Sequence, residues 1–316
     1  MCAVWGATML DNLRRKARSL VPQFLASWQK PPPPPDLKLL VAVILGGLFL
    51  APLVHCLPLL GYDWFMVFYP GQLAMYPPWM PLALAPLRFL PPRWSFAVVG
   101  GLTLATVAFT TYRQSSRGVL DGLFATLLAL LSPPLWYLLW DGQIDGLVLL
   151  SFFLLPWSIP LVLLRPQITG WFLLSRRSWT LPMVAWLLAS CLIWGPWLVR
   201  SYVLSQGSAS HPTAIGWATT GWPVLVVGLA MWLTSKGHPW RVLAASILAS
   251  PYVQPYHMTM LVPVLGRLHG WKRLAVWGSL WVVGLVPGLL GITKYLALIL
   301  PALTWVLLRG DVQEGM

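Results

Sequence analysis

The chain has 316 residues, of which 58% are hydrophobic and only 9% are charged. Soluble domains average about 45–50% apolar and about 25% charged residues, so this composition excludes an ordinary water-soluble enzyme and indicates a polytopic membrane protein. The 21 Lys and Arg residues outnumber the 8 Asp and Glu residues, which gives a formal net charge of +13. Most of the basic residues form short clusters between apolar runs, as the positive-inside rule describes, so the charge does not indicate a nucleic-acid partner.

Residues 1–36 are predicted to form a cytoplasmic, basic interfacial helix followed by a polyproline spacer. Basic residues at 14–18 precede the apolar run Val21–Trp28 and then five prolines at 31–35. The proline run that follows the apolar residues is not the small-residue cleavage site that a secretory signal has at this position. Such a segment is expected to contact anionic lipid headgroups, with the prolines as a stiff spacer before the first span.

From residue 37 onward the apolar runs predict an all-α, transmembrane helix bundle that ends near residue 310. A span needs about 20 predominantly apolar residues, and placing each basic cluster in the cytoplasm fixes the direction of each run. This predicts about ten passes, some of them broken or short, with both termini and a tail at 311–316 in the cytoplasm and outer loops at 61–93 and 205–220. The runs are Leu37–Leu60, Trp94–Thr111, Val119–Leu139, Gly146–Leu174, Thr180–Arg200, Pro223–Ser235, the short pair Val242–Ala249 and Met258–Leu265, Leu274–Leu290 and Tyr295–Leu308.

Two pairs of adjacent glycines lie within the first two predicted spans. Gly46-Gly47 and Gly100-Gly101 lack side chains that would keep two helices apart. They predict close helix packing.

Carboxylates are scarce in the predicted bundle, and Asp63 is the best candidate for a general base. It follows the first span among aromatic residues that exclude water and raise the pKa of a carboxyl group. For an isolated aspartate, a solvated loop residue that caps a short helix is the more common situation. The carboxylates between residues 37 and 310 are Asp63, Asp121, Asp141 and Asp145.

Arg165 lies about ten residues before Arg176, hence about 15 Å from the cytoplasmic surface, where an unpaired charge is costly. One explanation is an internal ion pair with Asp141 or Asp145. The other is an anionic ligand, since a guanidinium fork suits a phosphate. The depth of Arg165 alone supports the two explanations about equally.

His257 follows a proline-broken stretch that also carries Tyr252 and Tyr256. Irregular backbone at membrane depth is tolerated only where it is buried in protein or lines a cavity. The three side chains offer hydrogen-bonding groups at this bend, although a lone histidine is more often structural. No second His or Cys stands at ligand spacing, so we predict no metal site and no cofactor.

Taken in order, these segments resemble the GT-C superfamily of polytopic glycosyltransferases. Within it they resemble the GT87-like group related to polyprenyl-phosphate-mannose-dependent mannosyltransferases. The resemblance covers about residues 37–270. Arg165 stands where that group has Lys, and His257 stands where it usually has Asp. The residues that carry the resemblance are Asp63, Tyr76-Pro77-Pro78, Gly142-Gln143, Arg165-Pro166-Gln167, Ser250-Pro251-Tyr252 and Tyr256-His257.

The resemblance implies an inverting transfer of a mannose-like sugar from a polyprenyl-phosphate donor to a lipid, glycan or protein acceptor. The reaction would take place at the outer face of the bacterial inner membrane without a metal or cofactor. Asp63 would deprotonate the acceptor hydroxyl and Arg165 would hold the leaving phosphate, with Arg88 and Arg93 as weaker phosphate candidates. The implied substrate-binding residues are Tyr76, Gln143, Gln167, Tyr252, Tyr256 and His257.

Two other functions compete with the enzyme. A lipid or small-solute transporter also has broken helices with polar residues at mid-depth, but the halves of the chain show no convincing repeat and a carrier gives the Asp63 loop no special role. A noncatalytic assembly subunit would explain the histidine at 257 and the compact chain. The enzyme hypothesis requires Asp63, Arg165 and His257 to converge on one outward-facing cavity open to lipid.

Overall fold

The computed structural model describes residues 22–23, 25–29, 31, 34–71, 76–201, 203, 215–290 and 296–309. Most of the predicted interfacial helix and polyproline spacer, much of the predicted loop 205–220 and the whole tail 311–316 therefore lie outside the described residues. Within those residues the fold is all-helical, as predicted, and its β-type pairing is one isolated bridge between Ile215 and Val253.

The helices follow one another with short connections. Single-turn π-helical and 3₁₀ segments at Trp64–Phe68, Ala85–Phe89, Phe152–Leu154 and Leu296–Leu298, and a longer 3₁₀ helix at Pro255–Gly266, interrupt the α-helices. In chain order the α-helices are α1 (Leu37–His55), α2 (Met80–Leu84), α3 (Pro92–Gln114), α4 (Val119–Leu130), α5 (Pro133–Asp141), α6 (Asp145–Ser151), α7 (Ile159–Val162), α8 (Pro166–Leu173), α9 (Arg177–Trp194), α10 (Trp217–Thr220), α11 (Trp222–Leu233), α12 (Pro239–Leu248), α13 (Gly270–Leu290) and α14 (Ile299–Leu307).

Two helices in the described part of the chain, α1 and α3, are long and apolar enough to cross a membrane. The pair α4 and α5 makes a third candidate if the two are counted as one span, although they are bent by 48°. The ten predicted passes are therefore not confirmed.

Prolines account for much of the difference between the predicted and observed spans. The predicted crossing Gly146–Leu174 is divided into α6, a 3₁₀ turn, α7 and α8. A proline removes a backbone donor and clashes with the preceding helical turn. The last two of these helices each start at or just before a proline, since Pro160 and Pro166 lie in the first turns of α7 and α8.

The glycine pairs pack α1 closely against α3, as predicted. A side chain at Gly101 would bring a Cβ within 2.2 Å of the Gly47 carbonyl oxygen, and one at Gly47 would lie 2.8 Å from the Cα of Leu102. Helices that approach this closely gain van der Waals contact that larger residues would prevent. The contact fixes α1, and the segment that follows it, against the rest of the fold.

The 3₁₀ helix Pro255–Gly266 lies at the centre of the fold. Each of its residues is buried, and it contacts α3, α4, α5, α6, α12 and α13. A 3₁₀ helix of this length is uncommon because its hydrogen bonds are poorly aligned. The surrounding helices therefore stabilise it by burial, and they hold its first residues, which include Tyr256 and His257, in fixed positions.

Replacing Gly101 by Ala should destabilise the protein by about 1–3 kcal/mol, because the added methyl group overpacks the contact between α1 and α3. The measurement is the free energy of unfolding of the purified protein in detergent. Gly170→Ala is the control, since no atom lies within 4 Å of a Cβ built at this position in α8, and it should be neutral or stabilising by up to about 1 kcal/mol. Equal stabilities for the two variants would contradict the close packing.

Candidate functional site

Asp63 lies next to Gln143 because two glycines allow their segments to touch. The backbone N–H of Gly61 donates to the carbonyl oxygens of Leu139 and Trp140 at 3.0 and 2.9 Å. Gly142 ends α5 in the left-handed conformation (φ 73°), and a Cβ there would lie 2.7 Å from the Cα of Gly61. The turn after α1 therefore contacts the turn after α5, although about 80 residues separate them in sequence.

Gln143 connects Asp63 to Arg165. Its Nε2 donates a hydrogen bond to Oδ2 of Asp63, and its Oε1 accepts a hydrogen bond from Nη2 of Arg165. Gln143 is 2% exposed and Arg165 is 4% exposed. Because the amide nitrogen faces an acceptor and the amide oxygen faces a donor, its orientation is determined by these two partners.

Asp145 is the partner that compensates the charge of Arg165. Its Oδ2 accepts from Nε and Nη2 of Arg165 at 3.1 and 3.0 Å, and both side chains are almost fully buried. Asp145 starts α6, and the next residue, Gly146, lies so close to Thr103 of α3 that a Cβ there would meet its Oγ1 at 2.0 Å. The ion pair therefore explains the buried guanidinium without a ligand. Asp141, the other partner considered from the sequence, forms no ion pair with a described residue.

His257 lies beside the same ion pair. Its Nδ1 accepts from the backbone N–H of Gln254 at 2.8 Å in a capping box that starts the central 3₁₀ helix. In a neutral ring the proton must then be on Nε2. Nε2 faces Oδ1 of Asp145 at 3.6 Å, and neither of these two buried atoms has a hydrogen-bond partner.

Two tyrosine rings enclose the guanidinium of Arg165. Its Cζ lies 5.4 Å from the ring centre of Tyr76 and 5.8 Å from that of Tyr256. Tyr76 contacts the ring of Phe68, and Tyr256 contacts that of Tyr137. Cation–π contacts of this kind stabilise a cation that has lost its water. We call Asp63, Gln143, Arg165, Asp145 and His257, with these two tyrosines, the Arg165 network.

Asp63 is half-buried, whereas Gln143, Asp145, Arg165 and His257 are buried. Burial raises the pKa of the Asp63 carboxyl above the ordinary value, and the Arg165 charge and the Gln143 hydrogen bond lower it in part. The net effect is a raised pKa, which is the condition that favours a general base. A partly accessible carboxylate of this kind is suited to accept a proton from a bound hydroxyl group.

The structure brings six of the predicted site residues together and leaves the others outside the network. The six are Asp63, Tyr76, Gln143, Arg165, Tyr256 and His257. Tyr252 lies at the margin, where its ring is edge-on to His257 and its hydroxyl accepts from Gln254 Nε2 at 2.6 Å.

The remaining predicted residues do not take part in the network. Arg88 donates to the carbonyl oxygen of Phe68 at 3.3 Å, and the exposed Arg93 donates to that of His55 at 3.4 Å. These arginines therefore bind backbone carbonyls of the segments around Asp63. Gln167 is half-buried in the first turn of α8 and makes none of the network's hydrogen bonds.

Sequence reasoning did not place Asp145 among the site residues. The feature of the sequence that could have identified Asp145 is its position, two residues after Gln143 and at the start of a returning helix. This position puts its carboxylate near the amide of Gln143. Gln254 was also missed. Its role depends on a capping box, and the sequence pattern at residue 254 does not resemble the usual Ser or Thr form of that motif.

A separate pocket lies far from the network. Its volume is about 240 Å³, and it lies between the start of α1 and the end of α3, where Asp36 and Arg113 form an ion pair. The 19 residues of α1 place it about 28 Å from the Asp63 end of that helix. Among the described residues, no group of three His, Cys, Asp or Glu side chains is arranged to hold a metal ion.

No protein-family model, curated protein or solved structure matches the chain. Its residues and their geometry are therefore the basis for the function proposed below.

Asp145→Asn and Arg165→Gln should each destabilise the protein by about 3–5 kcal/mol, because each leaves one buried group without its partner. The double variant should lose much less stability than the sum of the losses in the two single variants, since both buried charges are then absent. Free energies of unfolding of the four proteins give this coupling. Asp36→Asn is the control for a more exposed pair, in which the side chains of Arg113 and Asp36 are 55% and 26% exposed, and it should cost about 0–1 kcal/mol. Additive losses for Asp145 and Arg165 would contradict a buried ion pair.

Proposed function

We propose that the protein is an integral-membrane glycosyltransferase of the GT-C type. It transfers a mannose-like sugar from a polyprenyl-phosphate donor to an acceptor hydroxyl at the outer face of the membrane, with inversion and with Asp63 as the general base. The observation that carries the proposal is the bridge through Gln143, which holds a half-buried carboxylate and a buried guanidinium in one network. A base and a phosphate-binding cation at adjacent positions are what this transfer requires.

Asp63 activates the acceptor in this mechanism. Gln143 holds Oδ2 of Asp63, so Oδ1 is the oxygen that takes the proton of the acceptor hydroxyl. The acceptor oxygen then forms a bond to the anomeric carbon from the face opposite the phosphate. The bond from that carbon to the phosphate oxygen breaks, and the lipid phosphate leaves with the electron pair.

Arg165 stabilises the leaving phosphate. Its Nε and Nη2 groups already bind Asp145 and Gln143, so Nη1 is the part of the fork that contacts the phosphate. Positive groups held in place before the reaction stabilise developing charge without reorganisation. Asp145 supplies that positioning, and the rings of Tyr76 and Tyr256 keep the guanidinium out of water.

The membrane setting belongs to the same proposal. About ten passes, both termini in the cytoplasm and the bacterial inner membrane agree with the basic clusters between apolar runs. Helices α1 and α3 are the passes with the clearest length and composition. The donor enters sideways from the outer leaflet, and Tyr252, at the margin of the network, contacts the donor or acceptor.

A noncatalytic assembly subunit is the second candidate. It is favoured by the ion pair of Arg165 with Asp145, which satisfies the deep charge internally. In that case the network is a structural core and binds no donor. A panel of polyprenyl-phosphate sugars, scored by release of the lipid phosphate from the purified protein, separates the two functions.

Asp63→Asn should reduce sugar transfer by a factor of about 10²–10⁴, because the amide cannot accept the hydroxyl proton. Donor binding and folding should change little. Asp141→Asn is the matched control, since Asp141 is also a half-buried aspartate and lies near enough to Asp63 to interact with it electrostatically. Release of the lipid phosphate is the measurement. Unchanged turnover in the Asp63 variant, or an equal loss in both variants, would exclude Asp63 as the base.

The activity should rise with pH as Asp63 ionises, with a midpoint above that of an ordinary aspartate because its pKa is raised. The hydrogen bond from Gln143 lowers the pKa of Asp63 in part. Gln143→Ala should therefore raise this pKa further and move the acid limb of the pH profile to higher pH. The pH profile of kcat/KM gives the midpoint. Gln167→Ala removes an amide outside the network and should leave the midpoint in place. A midpoint that moves to lower pH in Gln143→Ala would contradict the assignment.

A further inference from the structure

A second cluster of basic groups lies at the opposite end of α12 from the Arg165 network. His238 and Arg241 are at the start of α12, and the ten residues of this helix extend about 15 Å. The chain then turns and returns through the 3₁₀ helix Pro255–Gly266, which is followed by Arg267. Arg309 follows the end of α14, a helix that packs against α12. We call His238, Arg241, Arg267 and Arg309 the Arg241 cluster.

Two arginines of this cluster lie against the same indole ring. The Cζ of Arg241 is 4.1 Å from the ring centre of Trp305, and the Cζ of Arg309 is 5.4 Å from it. The indole Nε1 donates to the carbonyl oxygen of Met231 at 3.0 Å and to Oγ of Ser235 at 2.9 Å. The ring is thus held firmly while it brings two like charges close together.

Arg241 is buried without full compensation. The residue is 2% exposed, and its Nη2 donates to the carbonyl oxygen of Thr234 at 3.2 Å, but its Nε has no hydrogen-bond partner. None of the three arginines forms an ion pair in the part of the chain that the structure describes. A buried cation without a counter-charge is unfavourable unless something supplies one.

His238 adds a second buried donor that lacks a partner. Its Nδ1 accepts from the backbone N–H of Arg241 at 3.4 Å, so the proton of the neutral ring is on Nε2. Burial, and then the charges of Arg267 and Arg241, lower the pKa of His238 to about 4, which keeps the ring neutral at pH 7. Nε2 is buried and unpaired. Both unsatisfied atoms of the cluster are therefore N–H donors.

The positive-inside rule explains basic residues on this face of the protein but not this arrangement. That rule concerns charges in loops and next to spans, and the exposed Lys236 and Arg117 fit it. Arg241, in contrast, is buried away from water beside the ring of Trp305 and near a second guanidinium, and its own Nε has no hydrogen-bond partner. The N-terminal end of α12 adds its partial positive charge at the same place.

We propose that the Arg241 cluster binds the phosphate group of a ligand. A phosphate supplies acceptor oxygens for the two unpaired N–H groups and negative charge for the three guanidinium groups. Arg309 is exposed and Arg267 is half-buried, so a ligand reaches the buried donors from the side of these two residues. The site is separate from the proposed catalytic network and does not depend on its function.

The phosphate belongs either to the headgroup of an anionic lipid or to a soluble compound, and two arms of one experiment distinguish these sources. In the first, the full-length protein is placed in nanodiscs that contain phosphatidic acid and phosphatidylcholine, and native mass spectrometry counts the retained lipids. In the second, inorganic phosphate is titrated into the detergent-purified protein by calorimetry, with sulfate-free chloride buffer as the blank. A lipid ligand is retained in the first arm, and a soluble ligand binds in the second.

Arg309→Gln and Arg241→Met should each weaken binding by at least tenfold in the arm that detects it. Arg309 is exposed, so its substitution tests the site even if the buried Arg241 variant fails to fold. Arg117→Gln is the matched control, because it removes one exposed positive charge that does not belong to the cluster, and it should leave binding unchanged.

Three results would overturn the proposal. The first is binding in neither arm, and the second is an equal loss in Arg309→Gln and Arg117→Gln, which would indicate general attraction to positive charge. The third concerns the acidic residues of the tail, Asp311 and Glu314, which follow Arg309 in sequence. If phosphate bound only after Asp311→Asn and Glu314→Gln, the tail would be the partner of the cluster.

Discussion

A guanidinium buried away from water needs an opposite charge nearby, and the way Arg165 meets that need determines how the surrounding segments are arranged. Asp145 supplies the charge at 3.0 Å, so the start of α6 must face the residue that precedes α8. Gln143 shares the same guanidinium and reaches Asp63, which brings in the segment after α1. The glycines at 61 and 142 allow that approach, because a side chain at residue 142 would overlap the backbone of residue 61. Three parts of the chain that are distant in sequence thus share one electrostatic centre.

The sequence was sufficient to predict the chemical types in this centre but not all of its pairings. Asp63 stood out because acidic residues are scarce, and Arg165 because of its depth between apolar runs. Their link through Gln143 depends on a contact between two turns, which a linear pattern does not encode. For the same reason Asp145 remained one of two candidate partners until the structure distinguished it from Asp141. The role of His257 depends on a capping box with Gln254, and this local geometry is also beyond what residue types alone indicate.

The helical class follows from composition, whereas the number of spans does not. Mean hydropathy over a window reports burial in an apolar setting, and it responds in the same way to a membrane span and to a helix inside a helical protein. The stretch from 146 to 174 is predominantly apolar, yet prolines divide it into short helices, and the central 3₁₀ helix is fully buried by its neighbours. In contrast, α1 and α3 have both the apolar composition and the uninterrupted length that a span needs. The length of the helix, together with its hydropathy, separates the two cases.

The two buried arginines, Arg165 and Arg241, differ in how their charges are compensated. Arg165 has a carboxylate, an amide and two aromatic rings around it, so its charge is already balanced and its orientation is fixed. In the proposed function, a donor phosphate there would gain from a positioned N–H group more than from an unbalanced charge, which would favour a role in the transition state over tight binding of the ground state. Arg241 has no carboxylate partner among the described residues, and it shares Trp305 with a second guanidinium. An anion bound at Arg241 would therefore compensate a buried charge that is otherwise unpaired. This is the property of a permanent binding site rather than of a catalytic one.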